Sequence, residues 1–264
     1  MLIEKGVSVH LLHKFSDLQK RSLSSIGLLI FAYLFFIANL AVSSLLLLSV
    51  FCILIYEWHL ASKGQKTCFD YLIFLFITSG ICVFWYINAA RLLIYFVSDI
   101  LETSMIWIIG SAILSDTGAY FIGRIFGGMH PFPNISPGKT ISGYLGGLII
   151  GGSVPLLTFL TYKSYIPNFE HLVILILLGV LLSISAMAGD LLQSYFKRKH
   201  KIKDTGSLLP GHGGFFDRFD AILATSLMAL LIVLCIITLD SHRGFINPHI
   251  GFIMSTLDPN QLVY

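Results

Sequence analysis

Long apolar runs separated by short polar loops dominate this sequence and restrict what it can fold into. Of its 264 residues, 56% are hydrophobic and 12% are charged, whereas soluble domains carry roughly 25% charged residues. A helix needs about 20 apolar residues to cross a bilayer. Runs near that length fall at 24–39, 41–60, 70–88, 104–123, 141–162, 171–196 and 219–239. We therefore predict an all-α, polytopic integral membrane bundle of roughly seven to nine transmembrane helices.

The predicted organisation is a single membrane domain with short flanks. Residues 1–23 form a basic N-terminal segment, and residues 10–23 place their apolar side chains on one helical face, as in helices that lie on a membrane surface. An ordinary basic flank before the first span is the alternative. Residues 24–240 form the membrane catalytic domain and residues 241–264 a C-terminal tail. The segment 89–103 is left open between a re-entrant or interfacial helix and additional spans.

Lys and Arg are unevenly distributed among the loops, which predicts the orientation of the chain. Cations precede the first span, follow the second, bracket the loop from 124 to 139, and cluster after residue 196. These segments share one side of the membrane if residues 89–103 do not cross it. Because short cytoplasmic loops carry the excess of Lys and Arg, this side is predicted to be cytoplasmic.

Two familiar site types are excluded by spacing. The four cysteines form neither a disulfide framework nor a zinc pattern, so we expect buried free thiols. The sequence Gly138-Lys139-Thr140 ends like a phosphate-binding P-loop, but that motif needs glycine five residues before Gly138, where this chain has Pro133. Ser136, Lys139 and Thr140 remain candidates for direct contacts with phosphate.

Carboxylates at membrane depth mark candidate functional positions. Asp116 and Asp190 lie within apolar runs, and Glu57 lies near the end of one. An ionised side chain in a lipid-facing position costs about 2.5–3.5 kcal/mol, so such residues usually face a bundle interior or a wet cavity. Pairing with a buried cation for packing alone is the structural alternative, and for Glu57 the two explanations are balanced.

The segment 194–220, SYFKRKHKIKDTGSLLPGHGGFFDRFD, concentrates charge and glycine between two apolar runs. Its six cations suit phosphate groups, and its glycines allow backbone N–H groups to approach phosphate oxygens. Asp217 and Asp220 share a helical face, and with Asp190 they form a suitable set for Mg²⁺ that bridges phosphates. Stabilisation of a helix dipole by acids in its first turn is the alternative for either residue alone. The combination indicates a nucleotide or phospholipid phosphate as substrate.

This segment resembles the characteristic motif of the phosphatidate cytidylyltransferases, also called CDP-diglyceride synthases. The matching residues are Ser194, Lys197-Arg198, Lys203-Asp204, Pro210 to Gly214, and Asp217-Arg218-x-Asp220. Other elements that resemble the family are Leu18 to Arg21, Tyr56-Glu57-Trp58, Asp116 to Tyr120 with Gly123-Arg124, and Ser136 to Thr140. Two positions depart from it, because Ser142 and Gln193 stand where many members carry Glu.

The resemblance implies a Mg²⁺-dependent nucleotidyltransferase that moves a cytidylyl group from CTP to phosphatidate, giving CDP-diacylglycerol and pyrophosphate in phospholipid biosynthesis. It implies catalytic roles for Asp190, Asp217, Lys197 and Arg218. Metal binding falls to Asp190, Asp217 and Asp220, with a second cation left open. The implied substrate contacts are Ser136, Lys139, Thr140, Arg198, Lys203, Asp204, His212, Gly213, Gly214 and Asp116. Lipid tails would enter laterally between spans, and CTP would enter from the cytoplasm.

The expected setting is the inner or plasma membrane of a bacterium, with membrane lipid as a partner and the active site facing the cytoplasm. No nucleic-acid partner is expected, and a homodimer is left open. Two other functions are considered. One is a related CTP-dependent enzyme, a polyprenol kinase or a synthase for another lipid acceptor, although the Asp-Arg-x-Asp motif argues against the kinase. The other is a secondary transporter that binds ions at Asp116 and Asp190, which would not need clustered cations beside three acids.

Overall fold

The computed structural model describes residues 19, 22–35, 37–62, 66–93, 98–162, 169–209 and 213–243. Regular structure within these ranges is helical: α1 is Ser22–Phe35, followed by α2 Leu40–Ala61, α3 Cys68–Leu93, α4 Ser98–Phe126, α5 Ile141–Gly152, α6 Val154–Tyr162, α7 Phe169–Lys199 and α8 Phe216–Arg243. The predicted all-α fold is confirmed. The surface helix predicted at 10–23 and the tail at 241–264 lie largely outside the described residues.

The helices form a polytopic membrane protein. Among the described residues, five segments are long and apolar enough to cross a bilayer: Ala41–Ala61, Cys68–Tyr86, Met105–Phe126, Ile141–Thr161 and Leu172–Lys199. The larger helix number stays a prediction. The expectation of buried thiols is wrong, since Cys52, Cys68, Cys82 and Cys235 are all exposed on helix exteriors. Lipid tails are as apolar as a protein core, so a membrane helix can present such side chains outward.

Several helix boundaries differ from the predicted spans for local reasons. The run 141–162 divides at Ser153, which ends α5 before α6 begins. Pro155 lacks a backbone N–H and cannot continue the hydrogen bonds of α5, although it is tolerated in the first turn of α6. The predicted span 171–196 extends through Lys199, and α8 begins before residue 219, at Phe216. Around the ambiguous segment 89–103, α3 ends at Leu93 and α4 begins at Ser98.

Glycines bring α4 and α5 into close contact. The spacing of Gly143, Gly147 and Gly151 by four residues predicts a helix-packing face. A Cβ atom at any of the three would lie at most 2.9 Å from a backbone carbonyl oxygen of α4, so the prediction is confirmed. This contact places the loop that precedes α5 beside Asp116 of α4.

The central helix α7 packs against α4, α5, α6 and α8, and α8 in turn packs against α3. One buried apolar cluster joins α2, α3, the end of α7 and the start of α8. Its members are Val50, Leu54, Trp58, Ile73, Ile77, Ile81, Phe196, Phe215, Phe216 and Leu223. The cluster fixes the end of α7 and the start of α8, the two helix ends that the charged segment 200–215 connects.

The contact between Gly152 and Gly179 gives a stability prediction. A Cβ atom on Gly179 would overlap the carbonyl group of Gly152, and overpacking typically costs about 1–3 kcal/mol. We expect Gly179→Ala to lower the thermal unfolding temperature of the detergent-purified protein. Gly27→Ala is the matched helical control, because a Cβ there meets no atom within 4 Å. Equal unfolding temperatures for the two variants would contradict the close packing of α5 and α7.

Candidate active site

The two polar segments singled out by the sequence meet at one end of the bundle. Arg198, near the end of α7, donates from Nε to the carbonyl oxygen of Ile135 at 3.2 Å. Lys139, which precedes α5, forms an ion pair with Asp190 of α7. The loop between α4 and α5 and the segment after α7 therefore lie on the same side, as the Lys and Arg distribution predicts.

A hydrogen-bonded turn positions Lys139. The Thr140 side chain caps α5, accepting from the backbone N–H of Gly143 at 3.1 Å, as expected for an N-cap threonine. The Ser142 hydroxyl donates to the carbonyl oxygen of Gly127, whose φ of +60° favours glycine. Thr140 is buried, so its hydroxyl stabilises the start of α5 and fixes the backbone next to Lys139.

Acidic side chains of α4 and α7 contact Lys139, and a third acid, on α8, lies near them. Lys139 Nζ contacts Asp190 and lies 4.0 Å from Oδ1 of Asp116. Asp220 is buried at the start of α8 and interacts electrostatically with Asp190 and Asp116. Burial alone would lower the pKa of Lys139, but the Asp190 carboxylate outweighs this and raises the pKa above its ordinary value. Lys139 is therefore positively charged at neutral pH, within a group that has more acids than bases in direct contact.

A cavity of about 590 Å³ opens beside this cluster, a size typical of small-molecule sites. Its lining includes Asp116, Tyr120, Gly123, Arg124, Gly127, Gly128, His130, Gly138, Lys139, Thr140, Tyr144 and Asp190. The side chain of Arg124 donates to the Tyr120 hydroxyl at 2.7 Å. Two cations, a histidine and several glycines among the lining residues suit an anionic group that approaches the backbone closely. Sequence reasoning did not select Arg124, His130 or Tyr144 as site residues, although Arg124 belongs to a family-like motif.

Asp217 lies in a second, separate group of contacts. Its Oδ1 accepts from Gln193 Nε2 and Lys197 Nζ, both at 2.9 Å. Its Oδ2 accepts from the backbone N–H groups of Thr205 and Gly214 at 3.0 Å, and from the Thr205 hydroxyl at 3.2 Å. Both carboxylate oxygens therefore accept hydrogen bonds. Through them Asp217, in the first turn of α8, is held to the end of α7 and to the loop between α7 and α8.

Glu57 is the residue whose role sequence reasoning missed. It is fully buried on α2 and accepts from the backbone N–H groups of Phe215 and Phe216, both at 2.8 Å. A negative charge at a helix N-terminus is favourable, because the unpaired N–H groups and the helix dipole point at it. A Cβ atom on Gly206 or Gly214 would collide with the Glu57 carboxylate. These glycines therefore make room for an acid, and the described partners of Glu57 are two backbone N–H groups and the Thr205 hydroxyl rather than a buried cation.

Part of the basic run also has structural contacts. His200 Nε2 lies 2.7 Å from Oδ1 of the buried Asp70, and Lys199 Nζ lies 3.9 Å from the same oxygen. Asp70 also accepts from the Thr67 backbone N–H at 2.6 Å. The end of α7 is thereby attached to the start of α3, so these two basic residues have contacts away from the cavity.

The remaining predicted residues lie around the same end of the bundle. Arg198, Lys203, Asp204 and Arg218 are exposed, and Ser136 is half-buried in the loop before α5. Arg218 also interacts electrostatically with Asp116. Gly213 has a φ of +84° and its carbonyl accepts from the Leu209 backbone N–H at 3.1 Å. His212, with Pro210 and Gly211, lies outside the described residues.

The three predicted metal ligands fall into two groups rather than one. Asp190 and Asp220 are neighbours, since a Cβ on Gly189 would lie only 2.7 Å from the backbone oxygen of Asp220. Asp217 is held by the contacts described above. Within the described ranges, no group of three His, Cys, Asp or Glu side chains converges closely enough to hold a metal ion. Mg²⁺ usually needs only one or two carboxylates in addition to substrate phosphates and water, so the oxygen donors of Asp190 and Asp220 fit it.

The Glu57 contacts predict the effect of neutralising this acid. In Glu57→Gln one oxygen remains to accept a hydrogen bond, while the new NH₂ group faces a backbone donor. Leaving one buried N–H unsatisfied costs about 1–3 kcal/mol. We expect a lower unfolding temperature and faster amide hydrogen exchange in residues 205–216. Tyr56→Phe, at the exposed neighbouring position, is the control. Unchanged exchange in Glu57→Gln would show that the carboxylate does not hold the loop.

Comparison with known proteins adds an independent finding. A family model described as the cytidylyltransferase family matches residues 21–236. Similar proteins named phosphatidate cytidylyltransferase occur in Staphylococcus haemolyticus, with 46% identity over 110 residues covering 42% of this chain and 41% of the relative. One from Bacillus subtilis is 40% identical over 109 residues, covering 41% of this chain and 39% of the relative. The chain thus spans about two fifths of the length of the curated relatives it matches.

Proposed function

The chain belongs to the cytidylyltransferase family, and from that premise we propose that it transfers a cytidylyl group from CTP to phosphatidate. The products would be CDP-diacylglycerol, a precursor in phospholipid biosynthesis, and pyrophosphate. The family membership confirms the resemblance inferred from the motifs. The observation that most supports the reaction is the cavity of about 590 Å³ at the end of a membrane bundle, in which Lys139 and Arg124 stand beside acidic residues from different helices.

The proposed reaction is a phosphoryl-group substitution without net gain or loss of water. An oxygen of the phosphatidate phosphate attacks the α-phosphorus of CTP. The bond between that phosphorus and the oxygen bridging to the β-phosphate breaks, and pyrophosphate leaves with the electron pair. The attacking phosphate is already ionised near neutral pH, so no strong general base is needed. Catalysis then depends on aligning the two anions and offsetting their charge.

The cations of the site have different parts in this proposal. Lys139 exchanges its contact with Asp190 for a substrate phosphate, and Arg124 lines the same cavity. Arg198, Lys203 and Arg218 are exposed at the same end, where they can attract and hold the CTP phosphates. Lys197 is paired with Asp217 at 2.9 Å, which holds its ammonium group in place near the loop.

The proposal includes Mg²⁺, with Asp190 and Asp220 as the side chains that would hold it. When bound, Mg²⁺ supplies positive charge that offsets the charge on the CTP phosphates. Asp217 becomes a ligand only by exchanging Lys197, Gln193 or a backbone donor, because both of its oxygens are engaged. A second cation near Asp217 is the arrangement that would make such an exchange favourable.

We further propose that the site faces the cytoplasm of a bacterium. The basic loops favour that side, the named relatives are bacterial, and CTP is a cytoplasmic substrate. A homodimer is compatible with this arrangement and is left open.

Detergent-purified protein supplied with phosphatidate, labelled CTP and Mg²⁺ provides the direct test. We expect a labelled lipid and one pyrophosphate per lipid formed. Transfer of a phosphoryl group from CTP to an added polyprenol, with release of CDP, would favour the kinase. Ion uptake by the reconstituted protein without CTP consumption would favour the transporter. In sealed membrane vesicles, added CTP should be consumed only when the vesicles are inverted, since CTP does not cross the bilayer. Absence of labelled lipid with active control enzyme alongside would refute the proposal.

Neutralising Asp190 and Asp217 one at a time should distinguish a proposed metal ligand from a carboxylate that holds the loop before α8. Asp190→Asn is expected to lower turnover by at least ~10²-fold, the scale of losing one preorganised electrostatic contact, and to lower the unfolding temperature less than Asp217→Asn does, because it breaks one ion pair rather than five contacts. Asp217→Asn should lower both turnover and unfolding temperature, because the new NH₂ group opposes the donors that surround it. Turnover, thermal unfolding and the Mg²⁺-induced rise in unfolding temperature are measured for each.

The Mg²⁺-induced rise is the decisive readout for Asp190. It should shrink in Asp190→Asn even when no substrate is present. Near-wild-type turnover by Asp190→Asn at limiting Mg²⁺, with an unchanged Mg²⁺ response, would contradict its assignment as a ligand.

A further inference from the structure

An apolar groove of about 370 Å³ lies between α5 and α7, next to the polar cavity. Its walls include Phe132, Leu145, Ile184, Ala188 and Leu191. Leu145, Ile184 and Ala188 are exposed, so the groove is open along the side of the bundle rather than closed inside it. An apolar channel that faces lipid laterally and ends at a charged cavity is suited to an amphiphile.

The groove and the cavity are joined through specific residues. Tyr144 lines both of them. On α7 the consecutive residues Asp190 and Leu191 line the cavity and the groove respectively. Lys139 Nζ lies 5.8 Å from the centre of the Tyr144 ring. The boundary between charged and apolar surroundings therefore falls at Tyr144, within reach of the cation that would bind a phosphate.

The Tyr144 hydroxyl places a polar group at this boundary. Its oxygen is buried, and none of the described residues forms a hydrogen bond with it. A buried tyrosine hydroxyl normally has a partner, and leaving one unpaired is unfavourable. A ligand oxygen at the junction of cavity and groove would supply the missing partner.

We propose that the groove binds one acyl chain of the lipid acceptor. The lipid phosphate occupies the cavity at Lys139, and the Tyr144 hydroxyl donates to an oxygen of the head group between them. This inference rests on the proposed function, because the acceptor is phosphatidate. It assigns Tyr144 as a substrate-binding residue and the α5–α7 groove as the lateral entry for the lipid.

A second apolar cleft provides an internal comparison. It has a volume of about 340 Å³ and lies between α2 and α3, lined by Ser44, Leu47, Leu48, Phe51, Ile81, Cys82 and Trp85. The Trp85 indole N–H donates to the Ser44 hydroxyl at 3.1 Å, so these two polar groups satisfy each other. No cation among the described residues lines this cleft, which therefore matches the groove in size and apolarity but not in its connection to a phosphate site.

Filling each apolar space in turn tests the assignment. Ala188→Phe narrows the groove at an exposed position, and Cys82→Phe does the same in the comparison cleft. Displacing about two methylene groups of the acyl chain from apolar surface corresponds to a roughly tenfold loss of lipid affinity. We expect Ala188→Phe to raise KM for dioleoyl phosphatidate about tenfold, while KM for dihexanoyl phosphatidate and for CTP stays unchanged. Cys82→Phe should change none of the three.

Tyr144→Phe tests the head-group contact separately. Removing a hydrogen bond to a charged group should raise KM for both the long-chain and the short-chain phosphatidate about tenfold, because the hydroxyl contacts the part that the two lipids share. The KM for CTP should not change. A purely structural role would instead lower the unfolding temperature and leave both KM values near those of the wild type.

Photolabelling keeps this test independent of turnover. A phosphatidate with a diazirine at the end of its acyl chain is irradiated with the wild-type protein in liposomes, with and without excess dioleoyl phosphatidate. Competed labelling of α5 and α7 residues supports the groove even if no CDP-lipid forms, in which case only the proposed reaction fails. Three outcomes would overturn the proposal. The first is labelling of the α2–α3 cleft, and the second is an equal change in KM for long and short lipids in Ala188→Phe. The third is crosslinking between two chains through Leu145→Cys in a cysteine-free variant. The last outcome would mean that a second copy covers the groove.

Discussion

The Glu57 carboxylate, buried against the start of α8, is the interaction on which the site depends. Burying a charge without partners is highly unfavourable, and here the first turn of a helix supplies two N–H groups at 2.8 Å. The loop before α8 is thereby fixed to α2. Asp217 follows directly in the same turn, so its position relative to Lys197 on α7 is a consequence of where Glu57 holds the helix end.

The second constraint is the close approach of α4, α5 and α7 through small residues. Gly143 and Gly147 let α5 contact the backbone of α4, and the Thr140 cap then directs Lys139 towards Asp190. Because the acids come from separate helices, their mutual repulsion opposes assembly of the bundle end. Lys139 offsets part of it, and a bound cation or the exposed arginines would offset more. A site in which acids stand beside cations is suited to exchange partners with phosphates and a hard metal ion.

The sequence predicted the helices and the location of the site better than the contacts within it. Apolar length predicted the five spans that the described residues contain, and the spacing of Gly143, Gly147 and Gly151 predicted a packing face. Both depend on local sequence patterns. The partners of Glu57 lie 158 and 159 residues away, and no local pattern specifies such a contact. The sequence also suggested that Asp190, Asp217 and Asp220 share one location. The structure separates Asp217, because backbone donors of the loop, which spacing does not reveal, occupy its oxygens.

Gln193 shows how this chain differs from the family pattern in physical terms. Its side chain is buried, its amide donates to Asp217, and its Oε1 has no hydrogen-bond partner among the described residues. A glutamate there, as in many family members, would place a second buried carboxylate against Asp217, which requires a proton or another cation nearby. The amide removes that requirement and adds a donor beside the Lys197 ammonium group, which pairs with Asp217. The departure therefore shifts the surroundings of Asp217 from charge balance by added cations towards hydrogen bonding.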